Sequence, residues 1–329
     1  MITEPSSNNA PLVSVIVPIH NAADTIDECI ESLINQSYRN LEIILCNDHS
    51  TDHSCKLIEQ HLLDPRISWI QSDQFGACAA RNTGFRHCRG DYVQFLDADD
   101  LMARNKLELQ LRQLEACTRP DQTVSFSALI QFQDGSSPGS GERWHFQDAT
   151  FDNPLQLLCK LLSTNKYIQT GQWLIPHRLA KMAGPWDETL IADQDGEYFS
   201  RVLQQAGTVV SSPAAITYYR RARSGQISSG QTARHFESRL QAFRAKLQRI
   251  ESVTQPETVR KIVQHQCQTL AIASYPQAMT VSEQATRMLA AYQCKFNPSF
   301  PTLRLALIAK VFGWRIARWC SFIKHAGRG

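Results

Sequence analysis

Three carboxylates stand within four consecutive positions at the end of an apolar run. The run Val93-Gln94-Phe95-Leu96 leads directly into Asp97-Ala98-Asp99-Asp100. Such a run is typical of a buried strand. Carboxylates crowded at a strand end repel one another unless a cation neutralises them, and Mg²⁺ and Mn²⁺ prefer oxygen ligands. The cluster therefore predicts a metal–diphosphate site that uses Mg²⁺ or Mn²⁺.

A helix start is the alternative interpretation of the same residues. Asp97 to Asp100 could form the N-cap and first turn of a helix that begins near Leu101, because acidic side chains suit that end of the helix dipole. A short acidic motif alone does not decide between the two.

Two more polar segments favour the metal site. His20-Asn21 and Asn47-Asp48-His49-Ser50 follow the first two apolar runs of the chain. The carboxyl ends of parallel strands meet at one rim of a sheet, where ligands bind. Three polar strand ends on one rim are more than helix capping requires.

Composition limits the classes of protein to consider. The chain has 329 residues, 43% of them hydrophobic and 20% charged, which is a globular composition with room for one large α/β domain or two smaller ones. A net charge of +3 gives no argument for a nucleic-acid partner. The ten cysteines form no C-x-x-C pair, the polar start shows no signal peptide, and no apolar run reaches a membrane-spanning length. We expect reduced thiols and a cytoplasmic location.

Strands and helices are expected to alternate through the first hundred residues. The pattern predicts strands at 13–18, 41–46, 67–70 and 92–96 and helices at 24–35, 50–63 and 76–88. This alternation implies a parallel sheet covered on both faces.

The alternation fades after Asp100. We expect strands at 124–133, 173–176 and 208–210, helices around Leu107 to Leu114, at 154–162 and at 194–205, and a mainly helical region at 231–292. The predicted domains are a flexible tail 1–11, a catalytic domain 12–230 with halves 12–100 and 101–230, and a helical region 231–329.

With these segments laid out, residues 12 to 225 resemble the family 2 glycosyltransferases, inverting enzymes of the GT-A fold. Five ordered motifs carry the resemblance: Val15-Ile16-Val17-Pro18-Ile19-His20-Asn21, Leu33-Ile34-Asn35-Gln36-Ser37-Tyr38, Asn47-Asp48-His49-Ser50-Thr51-Asp52 (the family's DDGSTD), Gly76-Ala77-Cys78-Ala79-Ala80-Arg81-Asn82-Thr83-Gly84, and Gly90 through Asp100. The implied fold class is α/β, a Rossmann-like mixed, mainly parallel sheet flanked by helices, with a helical C-terminal extension.

The resemblance implies roles for residues at the rim. Pro18 and Asn21 would lie by the base and ribose of a nucleotide sugar, and Asp48 would accept from the uracil N–H. Arg81 would sit near the base or phosphates, as suits a guanidinium and an anion. For Asp48 the alternative is an N-cap of the next helix, and for Arg81 a surface arginine of a helix.

The acidic cluster divides under the same resemblance. Asp97 and Asp99 form the family's D-x-D motif. Asp99 is the expected metal ligand, Asp97 is expected near the ribose or the metal, and Asp100 is expected to act behind the metal ligands or as a helix cap.

Two motifs follow downstream. Gly184-Pro185-Trp186-Asp187-Glu188 resembles the family's G-x-x-D-E turn on the acceptor side, and Asp193 through Arg201 resembles E-D-x-E-x-x-x-R, with Gln194 in place of the glutamate. The general base of the family corresponds to Asp195. The alternative is that Asp193, Asp195 and Glu197 merely decorate a helix N-terminus.

One departure concerns the end of the catalytic domain. Ala222 occupies the position where the family often has a histidine after Y-R-x. Arg220, Arg221 and Arg223 could instead cover the diphosphate, or form a solvated basic loop.

The last segment, 303–329, has a composition of its own. Apolar and aromatic residues alternate with arginines and lysines, and there is no acidic residue. Such a basic amphipathic segment can lie in the interface of an anionic membrane. The alternative is a helix that packs on the catalytic domain or on another subunit.

The sequence thus predicts a metal-dependent glycosyltransferase of the hexosyltransferase type. It would move a sugar from a nucleotide diphosphate sugar, expected to be a UDP-sugar, to a glycan or lipid-linked glycan acceptor in bacterial surface polysaccharide or glycolipid synthesis. No nucleic-acid partner is expected, and the inner face of the cell membrane is the expected peripheral location. The alternatives are a nucleotidyltransferase, which would need a Gly-rich basic loop after the first strand, and an inactive sugar-nucleotide-binding module.

Overall fold

The structure, a computed structural model, describes residues 10–144, 150–164, 166–221, 230–298 and 302–326. The chain divides into two compact units. The first comprises 1–154, 168–188 and 201–225, and the second comprises 155–167, 189–200 and 226–329. Residues 1–9 of the expected tail and Ala222 and Arg223 lie outside the described residues.

The first unit is built on a ten-stranded mixed sheet. The strands are β1 (Val13–Ile19), β2 (Leu41–Asn47), β3 (Ile67–Gln71), β4 (Tyr92–Phe95), β5 (Leu101–Met102), β6 (Thr123–Gln133), β7 (Glu142–Trp144), β8 (Thr150–Phe151), β9 (Trp173–Pro176) and β10 (Thr208–Arg221). Their order is β3-β2-β1-β4-β9-β6-β10-β5, with β7 beside β6 and β8 beside β10.

Twelve helices complete the described chain. They are α1 (Ile26–Ile34), α2 (Ser54–His61), α3 (Ala77–His87), α4 (Lys106–Glu115), α5 (Pro154–Thr164), α6 (His177–Ala183), α7 (Gln194–Gln205), α8 (Ala233–Glu251), α9 (Pro256–Ser274), α10 (Met279–Ala291), α11 (Leu303–Phe312) and α12 (Trp314–Ala326).

The longest ladders of the sheet are parallel. β1 pairs in parallel with β2 and β4, β2 with β3, and β6 with β10. Every residue of β1 and β2 is buried, which explains why these strands read as continuous apolar runs rather than alternating ones. The predicted fold class, a mixed, mainly parallel sheet flanked by helices with a helical C-terminal region, is confirmed.

Pro18 lies in a central strand at the position where a proline is tolerated. Ile16 O accepts from Leu96 N on the β4 side, whereas Ile19 O accepts from Asp48 N on the β2 side. Pro18 therefore faces the β4 side, and the β1–β4 ladder ends at Ile16. Its missing N–H removes no ladder hydrogen bond.

The acidic cluster does not begin a helix. Leu101 and Met102 are buried and form β5, antiparallel to β10, and α4 begins only at Lys106. The helix-start interpretation of Asp97 to Asp100, including the cap role for Asp100, is therefore wrong. The two apolar side chains following the cluster gain more from burial beside β10 than from starting an exposed helical turn.

β10 is much longer than the expected strand at 208–210. Its pairing with β6 shifts register between Ser212 and Ile216, around Pro213, and then continues through Arg221. A bulge of this kind hides the second half of a strand from a simple alternation pattern.

The second unit is helical. One of its apolar clusters joins Phe236 and Leu240 of α8 to Ala278 and Val281 at the start of α10. Among the described helices, none has both the length and the apolar character needed to cross a membrane.

Close packing of α3 on β1 yields a stability prediction. A Cβ at Gly84 would lie 2.4 Å from Ile16 Cγ2. Gly84→Ala should lower the free energy of unfolding by about 1–3 kcal/mol, because a buried strand cannot move aside without cost. Urea unfolding measures the change. Gly139→Ala, where a Cβ meets open space, is the matched control, and equal midpoints for the two variants would contradict this packing.

Candidate functional site

The loops after β1, β2 and β4 meet at one rim of the first unit. Ile19 pairs with Asn47, so β1 and β2 end side by side. His20 Nδ1 lies 2.6 Å from Asp48 O, and Thr25 Oγ1 donates to Ala98 O at 3.0 Å. The three polar segments singled out from the sequence are therefore brought together.

Asn21 organises the loop after β2. Its φ is 48°, a left-handed conformation that asparagine tolerates better than most residues. Its Oδ1 accepts from Thr51 N at 2.8 Å and from Asp52 N at 3.3 Å. Asn21 thus holds the adjoining loop, and its contact with a base or ribose stays a prediction.

Asp48 is buried and bound to the start of α3. Its two carboxylate oxygens lie 2.9 and 3.0 Å from Gly76 N, which donates to them. The alternative role as N-cap of the following helix is wrong, because α2 begins at Ser54 and the Asp52 carboxylate accepts from Ser54 N. Asp48 instead joins the ends of β2 and α3.

An aromatic pair beside Asp48 was missed from the sequence. His49 has φ 55°, and its ring stacks on Phe75 with centroids 3.9 Å apart and planes 21° apart. One signal for this pair is present in the sequence, because His49 stands where the family's DDGSTD motif has glycine. Phe75 is 75% exposed, so the pair offers a flat apolar surface next to the Asp48 carboxylate.

Arg81 is not a surface arginine. Only 6% of it is exposed, its Nη2 donates to Asp97 Oδ1 at 2.6 Å, and its guanidinium lies 4.6 Å from the ring centroid of Trp186. Burial between an aromatic face and a carboxylate fixes the guanidinium at the rim.

Asn82, the next residue on α3, binds the downstream turn. Its Nδ2 donates to Trp186 O at 3.0 Å and to Glu188 Oε1 at 2.7 Å, and its Oδ1 accepts from Trp186 N at 2.7 Å. The Gly184 to Glu188 motif is therefore held directly against the rim by a residue to which the sequence analysis gave no role.

The three carboxylates of the cluster have different surroundings. Asp97 is paired with Arg81. Asp100 is fully buried and accepts from Arg220 N at 3.0 Å and from Gln169 Nε2 at 2.7 Å. Within the part of the chain that the structure describes, Asp99 has no ion-pair partner. Gln169, which also reaches Asp97 at 3.3 Å, is another residue missed from the sequence.

Burial and neighbouring charges raise the pKa of two carboxyls of this cluster. Burial, with help from the charge of Asp97, raises the pKa of Asp99 to about 6. Burial and the neighbouring carboxylates raise the pKa of Asp100 well above its usual range. A divalent cation would offset both effects, so the donor set fits a metal.

The protein supplies few ligands for that metal. Among the described residues, no three His, Cys, Asp or Glu side chains are grouped as a metal site. Mg²⁺ is often held by one or two carboxylates together with substrate phosphates and water. Asp99, with Asp97 beside it, suits that kind of site.

Arg220 supports the cluster from behind. Its buried guanidinium is paired with Glu28 and with Asp134, 3.0 Å away, and its Nε donates to Asp99 O at 2.9 Å. These contacts bind the guanidinium to protein partners, and a contact of Arg220 with the diphosphate stays a prediction. Arg221 is exposed.

Asp195 lies in the second unit, in the first turn of α7. Of its acidic neighbours, Asp193 is paired with Lys246, and Glu197 with Arg249 at 3.1 Å. Asp193 has φ 58°, and a Cβ at position 196 would lie 2.1 Å from its Oδ1. The flanking acids are therefore held by cations of α8 rather than solvated, while the role of Asp195 as a base stays a prediction.

The crowded carboxylates yield a pH-dependent prediction. A carboxyl whose pKa is higher in the folded than in the unfolded chain destabilises the fold increasingly as the pH rises between those two values. In metal-free protein, Asp99→Asn should therefore raise the free energy of unfolding at pH 7.5 by about 1–3 kcal/mol, and by less at pH 5. Urea unfolding in chelator measures both, with Asp121→Asn, an exposed carboxylate, as control. If Asp99→Asn were no more stable than the wild type at pH 7.5, the raised pKa of Asp99 in the folded chain would be refuted.

Two solved structures share this fold. S. aureus TarS 1–349 in complex with UDP-GlcNAc aligns with a TM-score of 0.62 at 17% identity, covering 95% of this chain and 92% of that one. The mannosyltransferase PcManGT from Pyrobaculum calidifontis, in complex with GDP-Man and Mn²⁺, aligns with a TM-score of 0.56 at 18% identity, covering 98% and 89%. At these identities the likeness concerns the fold.

Sequence relatives match about a third of the chain. A glycosyltransferase of Haemophilus influenzae is 44% identical over 105 residues, 31% of this chain and 42% of its own length. The chondroitin synthase of Escherichia coli is 38% identical over 102 residues, 31% of this chain and 15% of its own. The aligned segment thus spans less than half of either relative. Residues 14–148 match the model of glycosyl transferase family 2.

Proposed function

We propose that the protein is a metal-dependent, inverting glycosyltransferase of the hexosyltransferase type that uses a UDP-sugar. The observation that carries the proposal is the meeting of Asp48, the Arg81–Asp97 pair and Asp99, which has no ion-pair partner among the described residues, at one rim within the segment that matches the family. The proposed process is bacterial surface polysaccharide or glycolipid synthesis in the cytoplasm.

The donor nucleotide is assigned to the rim. Each oxygen of the Asp48 carboxylate has a further lone pair beyond the Gly76 contact, with which to accept from a uracil N–H. Pro18 and Asn21, at the end of β1, would lie near the base and ribose. Arg81 supplies positive charge toward the phosphates while it keeps Asp97 in place. The UDP-GlcNAc complex of TarS, a protein of similar fold, supports this class of donor.

The leaving diphosphate needs its charge stabilised. Asp99 would hold Mg²⁺ or Mn²⁺, with Asp97 near the metal or the ribose, and the ion would act as a Lewis acid on the diphosphate. The raised pKa of Asp99, caused by burial and by the charge of Asp97, supports this assignment, because a bound cation would stabilise the charged carboxylate. The Mn²⁺ in the complex of PcManGT supports a divalent ion in this fold.

Asp195 is assigned as the general base. It would take the proton of the acceptor hydroxyl as the oxygen attacks the anomeric carbon from the face opposite the diphosphate, so that one displacement inverts the configuration. The pairs Lys246–Asp193 and Arg249–Glu197 support this role, since they fix the turn on either side of Asp195. The acceptor class is a glycan or lipid-linked glycan, met at the inner face of the cell membrane.

Release of UDP from a panel of UDP-sugars in Mn²⁺ tests the activity. A glycosyltransferase releases UDP in the presence of its acceptor. Pyrophosphate release from UTP and a sugar 1-phosphate, with no UDP release from any UDP-sugar, would indicate the nucleotidyltransferase, although the loop from Pro18 to Asn21 has no Gly-rich phosphate cradle. Donor binding without turnover for any acceptor would indicate the inactive sugar-nucleotide-binding module.

Loss of the base should separate turnover from binding. Asp195→Asn should bind the donor within about twofold of wild type while turnover falls about 10²–10⁴-fold, the usual contribution of general-base catalysis. Steady-state UDP release and calorimetry measure the two quantities. Glu257→Gln, an exposed carboxylate of α9, is the control, and normal turnover in Asp195→Asn would remove it from the mechanism.

Loss of the metal ligand should make UDP binding insensitive to metal. In wild type, Mn²⁺ should strengthen UDP binding, because Asp99 would hold the ion and its charge would favour the phosphates of UDP. In Asp99→Ala, calorimetric titrations with Mn²⁺ and with chelator should give the same affinity. Asp121→Ala should keep the metal effect. A full metal effect in Asp99→Ala would disprove the ligand role.

A further inference from the structure

The two last helices expose apolar side chains in ordered rows. In α11, Leu303, Leu307 and Val311 follow one another at intervals of four residues, which places them on one face of the helix. They are 83%, 57% and 69% exposed. In α12, Ile316, Trp319 and Ile323 follow at intervals of three and four and are 47%, 52% and 49% exposed. We name these six residues the C-terminal apolar surface.

The opposite face of α12 is the one that packs on protein. Ala317 is fully buried, and Arg318 Nε donates to Ile272 O, in α9, at 3.0 Å. The ring of Trp314 lies 5.6 Å from that of Tyr275 and 4.9 Å from that of Phe296. At 100° per residue, Trp314 and Arg318 lie within about 40° of each other, whereas Ile323 lies on the far side of the helix. The helix is thus anchored in the second unit by one face, whereas Ile316, Trp319 and Ile323 lie on the other face and are exposed.

The charge of these two helices indicates which partner the C-terminal apolar surface contacts. Arg304, Lys310 and Arg315 are exposed on the same two helices, and no acidic residue occurs from Leu303 to Gly329. A second copy of the chain meeting this surface about a two-fold axis would bring the same cations face to face with no carboxylate on the segment to pair with them. An anionic lipid surface offers the opposite charge and an apolar interior, and tryptophan suits its interface.

We propose that the C-terminal apolar surface inserts into the interfacial layer of an anionic phospholipid bilayer, with Arg304, Lys310 and Arg315 contacting lipid phosphates. The side chains enter only the boundary between head groups and acyl chains, and α12 stays anchored to α9 through Arg318. This inference names the membrane contact of the proposed enzyme but does not rest on its chemistry, so either can fail without the other.

Co-sedimentation of the full chain with phosphatidylglycerol–phosphatidylcholine vesicles tests the proposal. Wild type should bind, and two double variants, Leu307→Glu with Val311→Glu and Ile316→Glu with Ile323→Glu, should each bind at least about tenfold more weakly, because each places two charges where apolar groups must insert. Leu63→Glu, a charge placed on a residue that is 94% exposed in the first unit, is the matched control and should bind as wild type. Circular dichroism and UDP binding verify that the variants are folded.

Electrostatic attraction is tested with the same vesicles. Binding should fall at least about tenfold on pure phosphatidylcholine or in 0.5 M salt, because neighbouring cations each contribute to attraction by an anionic leaflet. Undiminished binding of both double variants would overturn the proposal. So would a wild-type dimer in sedimentation velocity that the same variants dissociate, which would assign the surface to a second copy of the chain.

Discussion

The repulsion among carboxylates at the end of β4 is the constraint around which the rim of the first unit is arranged. The three acids have different partners. Asp97 is paired with a guanidinium, and Asp100 accepts from a neutral amide and from a backbone N–H, whereas Asp99 has no ion-pair partner within the described chain. Asp97 and Asp100 are thereby kept in place by contacts that do not depend on a ligand. Asp99 keeps a raised pKa without such a pair, as expected for a carboxylate at a functional site.

Helices and strands that bury one continuous apolar segment could be predicted from the sequence. β1, β2 and α7 were expected almost to the residue, since local pattern and tertiary packing agree there. The predictions were wrong where pairing between strands distant in sequence determines the secondary structure. Leu101 and Met102 become a strand only because β10 lies beside them, and β10 continues past Pro213 only because β6 accompanies it.

The candidate site shows the same division. Motif spacing predicted Asp48, Arg81 and the D-x-D acids as site residues, because each belongs to a short segment at a strand or helix end. It could not bring out Gln169, whose amide reaches Asp97 and Asp100 from about seventy positions along the chain, or the stacking of Phe75 on His49. Side-chain partners distant in sequence leave no periodic pattern, and they determine which of several equivalent acids is paired and which is not.

Trp186 gives the rim a mechanical link between two of its parts. Arg81 stacks on its ring while Asn82, one position further along α3, holds its backbone on both sides. A ligand that displaced this tryptophan would also disturb the guanidinium that neutralises Asp97, and so change the charge balance at the end of β4. Thermodynamic reciprocity then requires that a ligand of the acidic cluster alter, by the same factor, the affinity of whatever binds at the turn from Gly184 to Glu188. Two substrates bound at this rim would then change each other's affinity through the indole ring of Trp186.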